Sequence, residues 1–121
     1  MKATELRIGN LVNYNNLQCK ISVPDFAVFE MYERKKLELS SYQPIPLTEE
    51  WLLKFGFEEH PSRLFVFQKE WGEDEIEYIN KSQYQGCYEF QLCGSRVKII
   101  QYVHQLQNLY FALTGNELEI K

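Results

Sequence analysis

Between residues 63 and 100 the chain carries four short strand-like runs, and the gaps between them are too brief to hold a crossover helix. Residues 63–69 are apolar on both faces at their centre, through Leu64, Phe65, Val66 and Phe67, and Gly72, Glu73 and Asp74 after them have turn chemistry. In residues 75–79 Ile76 and Tyr78 share one face. Tyr88, Phe90 and Leu92 then alternate with Glu89 and Gln91, Gly94-Ser95 is a hairpin turn in type, and Val97 and Ile99 of residues 96–100 face inward. The expectation is a four-stranded antiparallel meander.

A single helix of about residues 101–114 follows. Val103, Leu106, Tyr110 and Leu113 recur at three- and four-residue spacing, with Tyr102 and Leu109 widening the stripe, while Gln105, Gln107 and Asn108 lie away from it. Gly115 is placed to stop the helix in the left-handed conformation. Leu118 and Ile120 alternate with Glu117 and Glu119, which predicts a short terminal strand.

The punctuation of residues 44–57 predicts a second, shorter helix. Pro44 and Pro46 keep the chain extended, Thr48 is a good N-cap, and Glu49 and Glu50 meet the positive end of the helix dipole. Leu47 and Leu52 stand at the two positions of a hydrophobic staple, and Gly56 with Phe57 supplies the stop. A helix of fewer than two turns is unstable alone and must dock on its surroundings.

At the N-terminal end, residues 6–12 read as a strand bent at Gly9, Asn13 to Asn16 as a turn, and Leu17, Cys19, Ile21 and Val23 as the half-buried face of a second strand ended by Pro24 and Asp25. This hairpin is also compatible with the opening of an SH3-like barrel. Phe26 to Phe29 read as a strand, residues 33–36 as a turn and residues 37–40 as another strand. A helix over residues 28–38, where Glu, Met, Lys and Leu are good formers, is the competing reading.

These elements define an α+β chain: an antiparallel sheet, made of the hairpin and the meander, packed by one longer C-terminal helix and one short central helix. At 121 residues, without any linker-like tract, one domain spanning residues 1–121 is the natural expectation. Aromatic residues reach 15%, with eight Tyr and eight Phe, which suits pleated surfaces. The net charge of −4 argues against nonspecific nucleic-acid binding, which needs basic surface to displace counterions. No apolar run is long enough to span a membrane, the first residues lack a secretory pattern, and three cysteines do not make a disulfide framework. The expected location is the cytoplasm.

No catalytic, cofactor-binding or metal-ligating residue is assigned, and no cofactor is implied. His60 and His104 stand alone, one before Pro61 in a loop and the other on the polar side of the last helix. Cys87 and Cys93 share a strand face without chelating spacing, and Cys19 has no His nearby in sequence. Glycine-rich phosphate loops are absent from the sequence. Glu49 and Glu50 are dipole partners rather than a catalytic pair. Residues 70–77 contain five acids around Trp71, so Trp71, Glu73 and Asp74 form a candidate surface for a basic protein partner. Arg34, Lys35 and Lys36, with Tyr32 and Tyr42 nearby, are the compact basic run that single-stranded nucleic acid would need. Phe111 falls on the helix face of His104, Gln107 and Asn108. Either a second layer such as residues 26–42 buries it, which is the expectation, or it marks a contact surface.

Three stretches, LRIGNLV (6–12), PIPLTEEWLLKFGF (44–57) and YVHQLQNLYFALTG (102–115), resemble a group of short uncharacterised proteins of Bacteroidetes-type bacteria and their phages and mobile elements. The resemblance implies a bacterial cytoplasm and carries no activity or site residue with it. The expected function is a small non-enzymatic protein-interaction module, an accessory or host-interacting factor of a phage or mobile element. The alternatives are a nucleic-acid-binding regulator and an enzyme whose site is assembled from scattered residues in a pocket holding His104 or a cysteine.

Overall fold

A computed structural model describes residues 5–34, 42–59, 61–62, 66–70, 76–81, 87–92 and 95–120. Trp71, Glu73 and Asp74 lie outside the described residues, as do His60, Cys93, Lys35, Lys36 and the strand expected over 37–40.

The chain is α+β. Its first sheet starts with the hairpin of β1 (Leu11–Tyr14) and β2 (Leu17–Lys20). Asn15 and Asn16 connect them, both at positive φ, as a two-residue type I′ turn requires. The run 6–12 becomes a strand only from Leu11. Gly9, at φ +96°, bends the chain, while its N–H donates to the Ile21 carbonyl (2.9 Å) and the Ile21 N–H donates to that of Asn10 (2.8 Å).

The strand expected at residues 26–29 is a helix, α1 (Val23–Arg34). Asp25 decides its start. One carboxylate oxygen accepts the Ser22 N–H (2.8 Å) and hydroxyl (2.9 Å), half of a capping box, and the other accepts the Tyr42 hydroxyl (2.8 Å). Pro24 costs nothing in a first turn, where its missing N–H has no helical partner. The competing helix reading was therefore right in kind but began five residues too late. Beyond α1, β3 (Tyr42–Gln43) pairs antiparallel with β1, giving the order β2-β1-β3. Among the described residues these three strands, with α1 on one face, do not form an SH3-like barrel.

The short helix α2 (Glu49–Lys54) carries its expected punctuation. The Thr48 hydroxyl accepts the Trp51 N–H (3.4 Å), and both staple residues, Leu47 and Leu52, are buried. Gly56 at φ +89° donates to the Leu53 carbonyl and Phe57 to that of Leu52, the two hydrogen bonds of a Schellman stop.

Among the described residues the meander has five strands rather than four. To β5 (Val66–Glu70), β6 (Ile76–Lys81), β7 (Tyr88–Leu92) and β8 (Ser95–Ile100) it adds β4 (Glu58–Glu59), in sequential antiparallel order β4-β5-β6-β7-β8. The β7/β8 register shifts between Phe90 and Gln91, so the alternation read from the sequence does not carry through: Ile100 is fully buried and Ile99 only half-buried. The long helix α3 (Val103–Thr114) ends at Gly115, φ +75°, whose N–H donates to the Phe111 carbonyl. Gln105 Oε1 closes its other end by accepting the N–H groups of Gln101 and Tyr102. Residues 117–120 are not a strand, although Leu118 is buried.

Two apolar clusters hold the layers together. Leu11 joins the larger, with Leu52, Phe55 and Phe57 around α2, Phe67, Phe90 and Ile100 of the meander, and Val103 and Leu106 of α3. Val12, the next residue, joins the smaller, with Leu6, Ile21, Phe29 and Tyr42. Successive strand residues point to opposite faces, so the small sheet lies between α1 on one side and the α3–meander core on the other. Hydrogen bonds from the Leu47 N–H to the Gln101 carbonyl (2.9 Å) and from the Val103 N–H to the Ile45 carbonyl (2.8 Å) tie α2 to the β8–α3 junction.

Candidate interaction site

At 100° per residue, His104, Gln107, Asn108 and Phe111 make one stripe along α3. The expectation was a polar outer face covered, if at all, by residues 26–42. Instead the N-terminal segment, residues 5–11, lies along it. Gln107, read as pointing away from the core, is only 2% exposed. Its Oε1 accepts the buried Leu11 N–H (2.8 Å) and its Nε2 donates to the Gly9 carbonyl (3.3 Å). Asn108 Nδ2 donates to the Glu5 carbonyl (2.9 Å), and Asn108 Oδ1 accepts from Asn10 Nδ2 (2.8 Å) and Arg7 Nε (3.2 Å). Two side-chain amides thus satisfy backbone groups that the bend at Gly9 leaves without a sheet partner.

His104, expected on the polar side, is 1% exposed and lies nearly parallel to the Tyr102 ring at 5.9 Å. Neither ring nitrogen has a hydrogen-bond partner; Nε2 stands 3.6 Å from the Glu5 carboxylate. Burial pushes its pKa below the ordinary histidine value, and the Glu5 carboxylate opposes this without reversing it. At neutral pH the ring is uncharged, and the contact with Glu5 is not an ion pair.

Phe111 ends the stripe where the cover stops. It is 39% exposed, which corrects the expectation of burial. The Arg7 guanidinium lies 4.2 Å from its ring centroid, donates to both carboxylate oxygens of Glu117 and reaches the Gln107 carbonyl (3.4 Å). Ile8, beside Arg7 in the chain, is 52% exposed. The patch therefore joins an aromatic ring and a cation neutralised by Glu117. It sets a flat cation over an aromatic face, the cation held by a bidentate carboxylate. Phe111 was legible in the sequence as out of place. Arg7 and Glu117 were not, because their pairing spans almost the whole chain.

Around Cys19, burial followed by the nearby Asp25 carboxylate pushes the thiol pKa up, away from a reactive thiolate. Tyr42 is buried, with its ring against Phe29 and its hydroxyl on Asp25, so it offers no face to a nucleic-acid base. Arg34 pairs with Glu30 one turn back. No group of three or more His, Cys, Asp or Glu among the described residues is placed to hold a metal ion. No helix among them is long and apolar enough to cross a membrane.

No family model, curated protein or solved structure matches this chain.

Proposed function

We propose that this chain is a small non-enzymatic protein-interaction module, and that its contact surface is centred on Phe111 with Arg7. The observation that carries the reading is the exposed Phe111 ring beneath a guanidinium immobilised by Glu117. Aromatic and Arg side chains are the residue types that most often anchor protein interfaces, and a rigid anchor loses little freedom on binding. The acidic segment with Trp71, Glu73 and Asp74 remains a second candidate surface, for a basic partner. The resemblance to short phage and mobile-element proteins favours an accessory or host-interacting role in a bacterial cytoplasm. Nucleic-acid binding is less favoured, because Tyr42 is buried and Arg34 is engaged. An enzymatic role loses His104 as an accessible base.

The test is capture from bacterial lysate, with and without nuclease, using the tagged chain and its Phe111→Ser variant. The expected result is a partner retained by the parent chain and lost by the variant. Identical capture by both would overturn the Phe111 surface. Recovery that depends on intact nucleic acid would move the reading to a nucleic-acid regulator.

A further inference from the structure

A second feature lies on the far side of Glu117. A pocket of about 290 Å³ opens between the hairpin and the C-terminal tail, just below the usual range of ligand pockets and roomy enough only for a small metabolite. Leu11, Leu118 and Ile120 give it an apolar wall, and Lys20 and Glu119 both line it. Glu117 also borders it, with its charge already matched by Arg7. Lys20 and Glu119 differ: neither side chain has a hydrogen bond or ion pair among the described residues. The pocket also exposes the edge of Gln107, a side chain 98% buried by its 2% exposure, which uses one amide N–H on Gly9 and keeps the other unused.

A cation and an anion, not paired with each other, line one pocket beside an apolar wall. We infer that the pocket binds a free α-amino acid with an apolar side chain. Its carboxylate meets Lys20 and the spare Gln107 N–H, its ammonium meets Glu119, and its side chain lies on Leu11, Leu118 and Ile120. A peptide C-terminus would satisfy only Lys20, and an amine only Glu119. A free amino acid carries both charges on one carbon, so one ligand can present a partner to each. Hydrogen bonds to charged partners are the strong class, so removing either end weakens binding about tenfold.

The experiment is an NMR titration of the ¹⁵N-labelled full chain with L-leucine, N-acetyl-L-leucine and L-leucinamide. L-leucine is expected to give saturable shifts at Lys20 and residues 117–120, with both blocked forms about tenfold weaker or worse. Lys20→Met and Glu119→Gln, both at exposed side chains, are expected to weaken leucine about tenfold while the remaining spectrum stays that of the folded chain. The inference is overturned by leucine shifts that fail to saturate at millimolar concentration, by equal affinity for all three ligands, or by variants that bind leucine like the parent. N-acetyl-L-leucine binding as tightly as leucine overturns it as well, and would assign the pocket to peptide chain ends.

Discussion

Gln107 shows how much a single polar residue can decide. Its amide accepts the one N–H of Leu11 that the bend at Gly9 leaves unpaired inside the protein. Replacing it by Leu keeps much of the volume and removes the acceptor, so a buried donor is stranded at about 1–3 kcal/mol. Gln107→Leu is therefore expected to lower stability by about 2 kcal/mol in urea unfolding, and an unchanged midpoint would show that Leu11 finds another acceptor. His104 makes a second prediction. Its folded pKa lies below the unfolded value near 6.5, so folding favours the neutral ring. Its contribution is complete above that value and is lost as pH falls through it, because the unfolded chain then takes up the proton first. The thermal midpoint is expected to fall between pH 7 and pH 5, and His104→Phe to flatten that slope; an equal slope in both would place the titration elsewhere. Asp25 acts in the same direction at lower pH. Burial raises its carboxyl pKa, but the hydrogen bonds from Ser22 and Tyr42 outweigh burial and hold it below the ordinary value near 3.8. Stability tied to Asp25 is complete above that value and is lost as pH falls below it.

Elements differ in how openly the sequence announces them. Residues 44–57 carry cap, staple and stop within one short stretch, so α2 could be read locally down to its Schellman hydrogen bonds. Gly56 tests that reading: at φ +89° an L side chain is strained by roughly 1–2 kcal/mol, and Gly56→Ala is expected to destabilise by that amount in thermal unfolding. No loss would mean the stop is held by Phe57 packing alone. The start of α1 was equally well marked, by Ser22, Pro24 and Asp25 in N-cap, first-turn and N3 positions. Pro24 and Asp25 were read as the end of a strand, and the β propensity of Phe26, Val28 and Phe29 hid the helix signal. The buried partner, Tyr42, is seventeen residues away, and no local pattern reveals it. The fifth meander strand was missed because two adjacent acids, Glu58 and Glu59, do not look like sheet until they pair with Gln68 and Phe67.

Across the whole molecule, residues 5–11 and Glu117 meet on one helix, α3. Periodicity placed Phe111, His104, Gln107 and Asn108 on a common face, and that much was legible. It did not show what covers the face, because the cover comes from residues about a hundred positions away and bonds through amides rather than apolar contacts. The same closure builds the candidate site: Arg7 from the N-terminal segment bridges Phe111 on α3 and Glu117 on the tail. A surface assembled from residues 5–11, α3 and Glu117 forms only in the folded chain, which fits the proposed interaction module.

The most direct test of the Phe111 surface is calorimetric titration of the captured partner with three forms of the protein. These are the parent chain, Phe111→Ser, and Leu53→Ser, which removes an exposed apolar side chain on α2 instead. The account predicts an affinity at least about tenfold lower for Phe111→Ser and unchanged for Leu53→Ser. Equal affinities for Phe111→Ser and the parent, or a loss confined to Leu53→Ser, would contradict it.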